Sequence, residues 1–281
     1  MNNTSKSATA VNKEADGTIT LEITIPKEQI AKVREEVVSQ TVTSANIPGF
    51  RKGKAPKKIV EDSISTEKLN EEILKKLLPD SYIATVQKQN LKPIINPKIH
   101  VNSVTPGEDW TYTAITCEIP EITLGKYKET ISKVTAKSKI ILPGQEKTEP
   151  NFDDIMKALI DSVTVQVPNI LVEQEVDRLL SQMLQEIKTL GLTLDQYLAS
   201  TKKTPDELRK DYGTKAENDI KIEFTLQKIA DEEKISVEEK EIEEAISKAT
   251  SPEERTHLES NRYLLTSIIR QQKTLDFLKT L

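Results

Sequence analysis

The residue types that most often carry chemistry are scarce in this 281-residue chain, and they stand apart from one another. Its two histidines, His100 and His257, have no Cys, His or carboxylate partner at a metal-ligand spacing, which argues against a zinc site. The single cysteine, Cys117, lacks the local signature of a redox or nucleophilic thiol and reads as a packing residue. One cysteine also rules out an internal disulfide framework and fits a reducing compartment. No GxxxxGK[ST], GxGxxG or GxSxG occurs, so neither a nucleotide enzyme nor a common hydrolase is indicated, and no cofactor is expected. Carboxylates are dense in DEEKISVEEKEIEE, where eight acids and two lysines lie between Asp231 and Glu244. That pattern reads as a solvated helix face rather than a catalytic pair.

Binding chemistry is more visible. Ile47 to Lys58 reads IPGFRKGKAPKK and places five positive charges without one acid in a chain whose formal net charge is −5. Gly49 and Gly53 permit backbone conformations closed to other residues, and Pro48 and Pro56 stiffen the flanks. One reading is a docking loop for an anionic or mixed RNA–protein surface. Phe50 would then be the desolvated anchor, with Arg51, Lys52 and Lys54 supplying attraction. The other reading is a solvated basic turn with Phe50 tucked into the core. Because the whole chain is acidic, any nucleic-acid contact must come from such a local patch.

The elements that would carry this segment follow from periodicity. Ile19, Leu21, Ile23 and Ile25 alternate with polar residues, as in a half-buried strand. Pro26 opens a helix with Ile30, Val33, Val37 and Val38 at helical spacing. After the basic segment we expect a short helix from Lys57 to about Asp62. A longer helix, capped by Thr66, should run to about Asn90 with Leu69, Ile73, Leu77, Ile83 and Val86 inward and Pro79 kinking or interrupting it. Strands around Ile99–Val104 and Trp110–Ile119 flank a Pro106-Gly107 turn. The expected fold is an α+β N-terminal domain joined to an all-α C-terminal domain. The expected domains are a disordered tail at 1–16, the α+β domain at 17–120, a linker at 121–150 and a helical domain at 151–281. An extended stretch is expected at Lys139–Leu142.

Beyond Phe152 only Gly191 and Gly213 remain as glycines, and helical patterns follow one another. Apolar stripes run through Val172, Val176, Leu179, Met183, Ile187 and Leu190, through Ile222, Leu226 and Ile229, and through Leu264, Ile268, Leu275 and Leu278. Breaks fall at Gly191, Thr204-Pro205, Ser236 and Ser251-Pro252; Ser236–Glu239 and Ser251–Glu254 have capping-box spacing. The stripes are either ordinary helix packing or, in part, an exposed groove for apolar polypeptide. A 36% apolar and 30% charged composition favours an elongated, surface-rich molecule over one compact core. The N-terminus has no secretory signal core and no window suits a membrane span, so a cytoplasmic protein without membrane contact is expected.

Gly49-Phe50-Arg51-Lys52-Gly53-Lys54-Ala55-Pro56 resembles the G-F-R-x-G-K-x-P signature of trigger factor, a bacterial ribosome-associated chaperone family. Gly107-Glu108-Asp109 and Glu118-Ile-Pro-Glu121 look like the same family's pattern, as do Val167-Pro168-Asn169-Ile170-Leu171-Val172 and Ala230-Asp231-Glu232-Glu233-Lys234-Ile235. The resemblance implies an N-terminal ribosome-binding domain and a C-terminal chaperone domain with helical arms. It implies that Gly49, Phe50, Arg51, Lys52, Gly53, Lys54 and Pro56 dock beside the exit tunnel of the large ribosomal subunit, on a ribosomal protein and nearby rRNA. The arms would shield nascent or unfolded polypeptides, with Val172, Val176, Leu179, Met183, Ile222, Leu226, Leu264 and Ile268 as client contacts. A homodimer of the free protein, known in some members, is a further implied partner. Family members usually carry an FKBP-like peptidyl-prolyl isomerase domain between the halves. Here about 40 residues separate Tyr127 from Pro168, too few for such a domain, so isomerase activity is not expected. An alternative is a ribosome- or RNA-binding assembly factor whose helical half is a spacer.

Overall fold

The computed structural model describes residues 9–44, 50, 56–139 and 151–281, which divide into two compact units, Met1–Ile119 and Pro120–Leu281. In the first unit the strands are β1 (Thr9–Lys13), β2 (Thr18–Ile25), β3 (Lys98–Ser103) and β4 (Trp110–Cys117). Three helices, α1 (Lys27–Ser44), α2 (Lys57–Ser63) and α3 (Thr66–Lys88), lie between β2 and β3 in the chain. The sheet order is β1-β2-β4-β3 with every pair antiparallel, and Leu21 stands opposite Ala114 and Ile23 opposite Tyr112. Period-two alternation puts Ile19, Leu21, Ile23 and Ile25 on the covered face, where they cluster with Val37 of α1 and Ile73 of α3.

Two long-range polar contacts fix the frame of this unit. The Lys27 amide at the start of α1 donates to Asp109 Oδ1 at 2.9 Å, so the turn before β4 satisfies an otherwise unpaired helix N–H. The Tyr112 and Ser81 hydroxyls share a 2.8 Å hydrogen bond between β4 and α3. Burial is the first cause raising the Tyr112 pKa.

Several expectations need correction. Residues 9–13 of the expected tail form β1, paired with β2 through a turn in which Gly17 has φ +91° and the Thr18 amide donates to Asp16 Oδ1 at 2.9 Å. The overlooked signal is Asp16-Gly17, a dipeptide suited to a tight hairpin. The expected interruption at Pro79 does not occur. Leu77 before it and Thr85 after it are both buried, and Tyr82 and Val86 pack on the same core, so burial outweighs the lost backbone hydrogen bond. Ser65 rather than Thr66 is the cap of α3, accepting from the Lys68 amide at 3.3 Å. Ile83 is exposed rather than inward.

The second unit begins with β5 (Ile122–Thr123), α4 (Tyr127–Lys139), α5 (Phe152–Ser162) and β6 (Thr164–Val165). It continues through α6 (Asn169–Thr189), α7 (Leu194–Thr201), α8 (Pro205–Glu232), α9 (Glu239–Ser247), α10 (Pro252–Ser260) and α11 (Arg262–Thr280). Apart from the short β5–β6 pair, the described residues of this unit that have regular structure are helical. The expected linker at 121–150 therefore carries structure over 122–139. Leu124, Tyr127 and Ile131 are buried with Ile155, Leu226 and Leu278 in one cluster. Tyr127, Ile131 and Val134 make a stripe too thin among Lys, Thr and Ser to stand out in the sequence. Of the expected extended stretch, Lys139 ends α4, and 140–142 lie outside the described residues.

Helix ends follow side-chain chemistry. Thr193 with Gln196, and Thr204 with Glu207, form reciprocal capping boxes at α7 and α8. Ser251 caps α10, but the Glu254 carboxylate turns to Thr250 instead of closing a box with Ser251. The expected box at Ser236 is replaced by one further on, where Glu241 accepts from the Glu238 amide at 2.8 Å.

Gly125, between β5 and α4, has φ +54°, and a Cβ there would come within 2.4 Å of the Ser162 carbonyl oxygen. Both the left-handed conformation and the collision oppose a side chain. Gly125→Ala should lower stability by about 2 kcal/mol or more, read as a reduced melting temperature of the full chain.

Candidate functional site

Of the docking residues named from sequence, Gly49, Arg51, Lys52, Gly53 and Lys54 lie outside the described residues. Phe50 is described and 39% exposed, so the reading with this ring tucked into the core is not what the structure shows. Pro56 is exposed, with extended backbone, and its carbonyl accepts from the Val60 amide in the first turn of α2. Lys57, Lys58 and Ile59 are exposed on α2, while Val60 is fully buried and anchors the helix.

The base of the basic segment is held by charge as well as packing. Arg34 of α1 donates from Nε (3.0 Å) and Nη2 (2.7 Å) to Glu61 Oε1 of α2. Lys57 stands 3.9 Å from Glu35, a contact too long and too exposed to contribute much. Thus α1 and α2 form a fixed footing on either side of the segment that contains Phe50.

The client residues expected in the second unit separate into two groups. Val176, Leu179 and Met183 are buried, and this corrects the expectation that they contact a client; Leu226 is also buried, but it forms part of the groove wall described below. Val176 and Leu179 close against Ala216 in one cluster, Met183 closes with Ile187 and Leu208 in another, and Leu226 belongs to the cluster around Leu278. Val172 and Ile222 are partly buried against the same clusters. Those stripes are consumed by helix-on-helix packing of α6 with α8 and by the central core. Leu264 and Ile268 behave differently, at 57% and 53% exposed.

Beside them lies a groove of about 470 Å³ between α8 and α11. Leu226 and Ala230 contribute from α8, Tyr263 and Leu264 from one end of α11, and Gln227 and Gln271 from the two helices. Tyr263 is 90% exposed and was missed by the sequence reading. Its signal was an aromatic next to Leu264 in a helical half that has very few. A second exposed aliphatic group, Leu190, Leu192 and Leu194, lies around the α6–α7 turn at Gly191. These surfaces suit weak apolar contact with an adaptable chain.

Among the described residues there is no group of three or more His, Cys, Asp or Glu that could hold a metal, and His100 and His257 are both exposed. Burial, with a smaller contribution from Asp16, pushes the Cys117 thiol up to about 11, so it is protonated and inert at neutral pH. Among the described residues no helix is long and apolar enough to cross a membrane.

The acidic run is largely the solvated face expected, with six of its eight acids exposed, and cations from other helices pair with it. Lys128 Nζ (2.6 Å) and the Tyr127 hydroxyl (2.9 Å) both reach Glu233 Oε1. Arg270 Nη2 pairs with Asp231 at 2.7 Å, Lys273 with Glu241 at 2.8 Å, and Arg262 with Glu239. The Lys128 bond and then the Tyr127 bond hold the Glu233 carboxyl below the usual range, and Lys273 does the same for Glu241. Burial first, and then Glu233, raises the Tyr127 phenol.

Comparison with known proteins fits both units. A family model described as bacterial trigger factor protein (TF) matches residues 8–142, and one described as bacterial trigger factor protein (TF) C-terminus matches residues 123–280. The chain belongs to the trigger factor family. Relatives named trigger factor from Staphylococcus aureus strains JH9, Newman and JH1 are each 34% identical over 108 residues. That match covers 38% of this chain and 25% of each relative, so the aligned stretch spans a quarter of their length. A solved structure described as "Promiscuous Substrate Recognition in Folding and Assembly Activities of the Trigger Factor Chaperone" matches with a TM-score of 0.66. It covers 96% of this chain and 99% of its own at 15% identity, which shows a shared fold.

The split between consumed and available apolar residues is measurable. Leu226→Ala should cost about 2–5 kcal/mol in chemical denaturation, as for other buried leucines. Leu264→Ser should stay within about 0.5 kcal/mol of the parent.

Proposed function

We propose that this protein is an ATP-independent, ribosome-associated molecular chaperone that acts in the cytoplasm. The basic segment from Gly49 to Pro56 docks near the polypeptide exit tunnel. Phe50 is the apolar anchor, Arg51 and Lys52 contact a ribosomal protein, and Lys54 lies near rRNA. The second unit shields nascent or unfolded chains. The observation that carries this reading is the α8–α11 groove, lined by Tyr263 and Leu264, with Ile268 exposed on the same helix, so that all three keep large apolar area in water. Membership of the trigger factor family, whose solved representative is described as a chaperone with promiscuous substrate recognition, supports it.

Release needs no nucleotide: many weak contacts dissociate quickly, and a client that buries its own apolar residues no longer competes for the groove. A homodimer of the free protein belongs to the same reading, since a second copy covers apolar surface when no ribosome is bound. The reading assigns no peptidyl-prolyl isomerase activity. Residues 122–139 and 152–165, where an inserted domain would interrupt the family pattern, supply β5, α4, α5 and β6 to the helical unit itself.

Changing Phe50, Arg51 and Lys52 together to alanine should abolish co-sedimentation with ribosomes while the circular dichroism spectrum stays unchanged. Undiminished ribosome binding would refute the docking assignment. Separately, Leu264→Ser with Ile268→Ser should reduce suppression of aggregation of a chemically unfolded client several-fold without loss of thermal stability. A parent protein that fails to suppress aggregation would instead favour the assembly factor with a helical spacer.

A further inference from the structure

The N-terminal part of α11 forms one wall of the groove, yet it is scarcely held by apolar burial. From Arg262 to Lys273 no side chain is buried, and the first buried residue of the helix is Thr274. Helix α10 has no buried residue either. What grips this region is charge concentrated on 231–241, the turn between α8 and α9.

The turn itself is well defined. Lys234 takes a left-handed conformation at φ +55°, with its amide bonded to the Asp231 carbonyl at 3.3 Å and the Ile235 amide to the Ala230 carbonyl at 2.8 Å. This is the paired closure that ends many helices, here with lysine where glycine is usual. Arg270 then donates from Nε to the Ile235 carbonyl at 2.8 Å as well as binding Asp231. Lys273 donates to the Ser236 carbonyl at 2.7 Å and to both oxygens of Glu241. From the opposite element, α4, Lys128 holds Glu233. The cations of α4 and α11 therefore grip one acidic turn.

We propose that these ion pairs form a salt-sensitive clasp that sets the separation of α11 from α8, and so regulates access to the groove. The inference rests on the reading of that groove as the client surface. Exposed and half-exposed pairs are individually weak and are screened by salt, with a Debye length of about 10 Å at 0.1 M. Several pairs closing one turn, with no buried side chain on α11 before Thr274, make a joint that opens locally while the rest of the unit stays folded. When it loosens, α11 yields first between Arg262 and Lys273, because beyond that point Thr274 and Leu278 are fully buried.

The test is native-state hydrogen exchange on the full chain, with binding of a fluorescent, unstructured leucine- and phenylalanine-containing peptide measured in parallel. Raising salt from about 20 mM to about 300 mM should speed exchange of α11 amides 264–272 by roughly five- to tenfold, leaving those of α5 unchanged. Arg270→Asp should reproduce that change at low salt and tighten or weaken peptide binding at least threefold. Adding Asp231→Arg to Arg270→Asp should restore both towards the parent, which separates the clasp from general misfolding. Lys203→Gln, which removes an unrelated exposed pair with Asp211, should change neither. Salt-independent exchange of 264–272 would overturn the clasp. Peptide binding that ignores Arg270→Asp while exchange responds would overturn the regulation alone. A parent chain that binds no peptide at any salt would overturn the client reading, and the inference with it.

Discussion

One apolar cluster organises the second unit. Leu124, Tyr127 and Ile131 come from the start of the unit, Ile155 and Leu159 from α5, Leu226 and Ile229 from α8, and Leu278 from the end of α11. Four stretches far apart in sequence must meet for any of them to leave water. Each fully buried aliphatic contributes roughly 1.5–3 kcal/mol, so the cluster sets which parts of each helix are fixed. The rest of α11 is then free to present Leu264 and Ile268 outward, and α7 and α10 carry no buried side chain at all. The available surface is thus a consequence of where the core was placed.

The first unit solves a different problem. Its sheet buries one face under α1 and α3, and α2 is a short helix fastened by Val60 and by Arg34 on Glu61. That arrangement provides a rigid footing for a connecting segment that is rich in positive charge, with an exposed phenylalanine in it. The two units divide labour in the proposed function: one supplies charge with an aromatic anchor, the other supplies aliphatic area beside amide side chains.

Much of this was legible from residue order. The alternation of Ile19 to Ile25 gave β2, and the 3.6-residue stripes gave α3, α6, α8 and α11 within a few residues. Stripe membership did not separate core from surface. Val176 and Leu264 look alike in sequence, but one is sealed by Ala216 and the other faces a groove. That difference depends on which helix lies alongside, a tertiary fact that periodicity cannot carry. Residues 122–139 were misread because Tyr127 and Ile131 are buried by partners such as Leu278 at the far end of the chain, while their immediate neighbours are polar. The acidic run reads as a solvated face and most of it is one, but its partners Lys128, Arg270 and Lys273 lie on other helices and do not show in its own sequence.

The central claim is that one unit touches the ribosome and the other touches the client. Site-specific photocrosslinking on ribosomes carrying a stalled, unfolded nascent chain tests it most directly, with the probe placed in turn at Phe50 and at Ile268. The account predicts that the probe at Phe50 reaches ribosomal components and that the probe at Ile268 reaches the nascent chain. Crosslinks from Ile268 only to the ribosome, or from Phe50 only to the nascent chain, would contradict it.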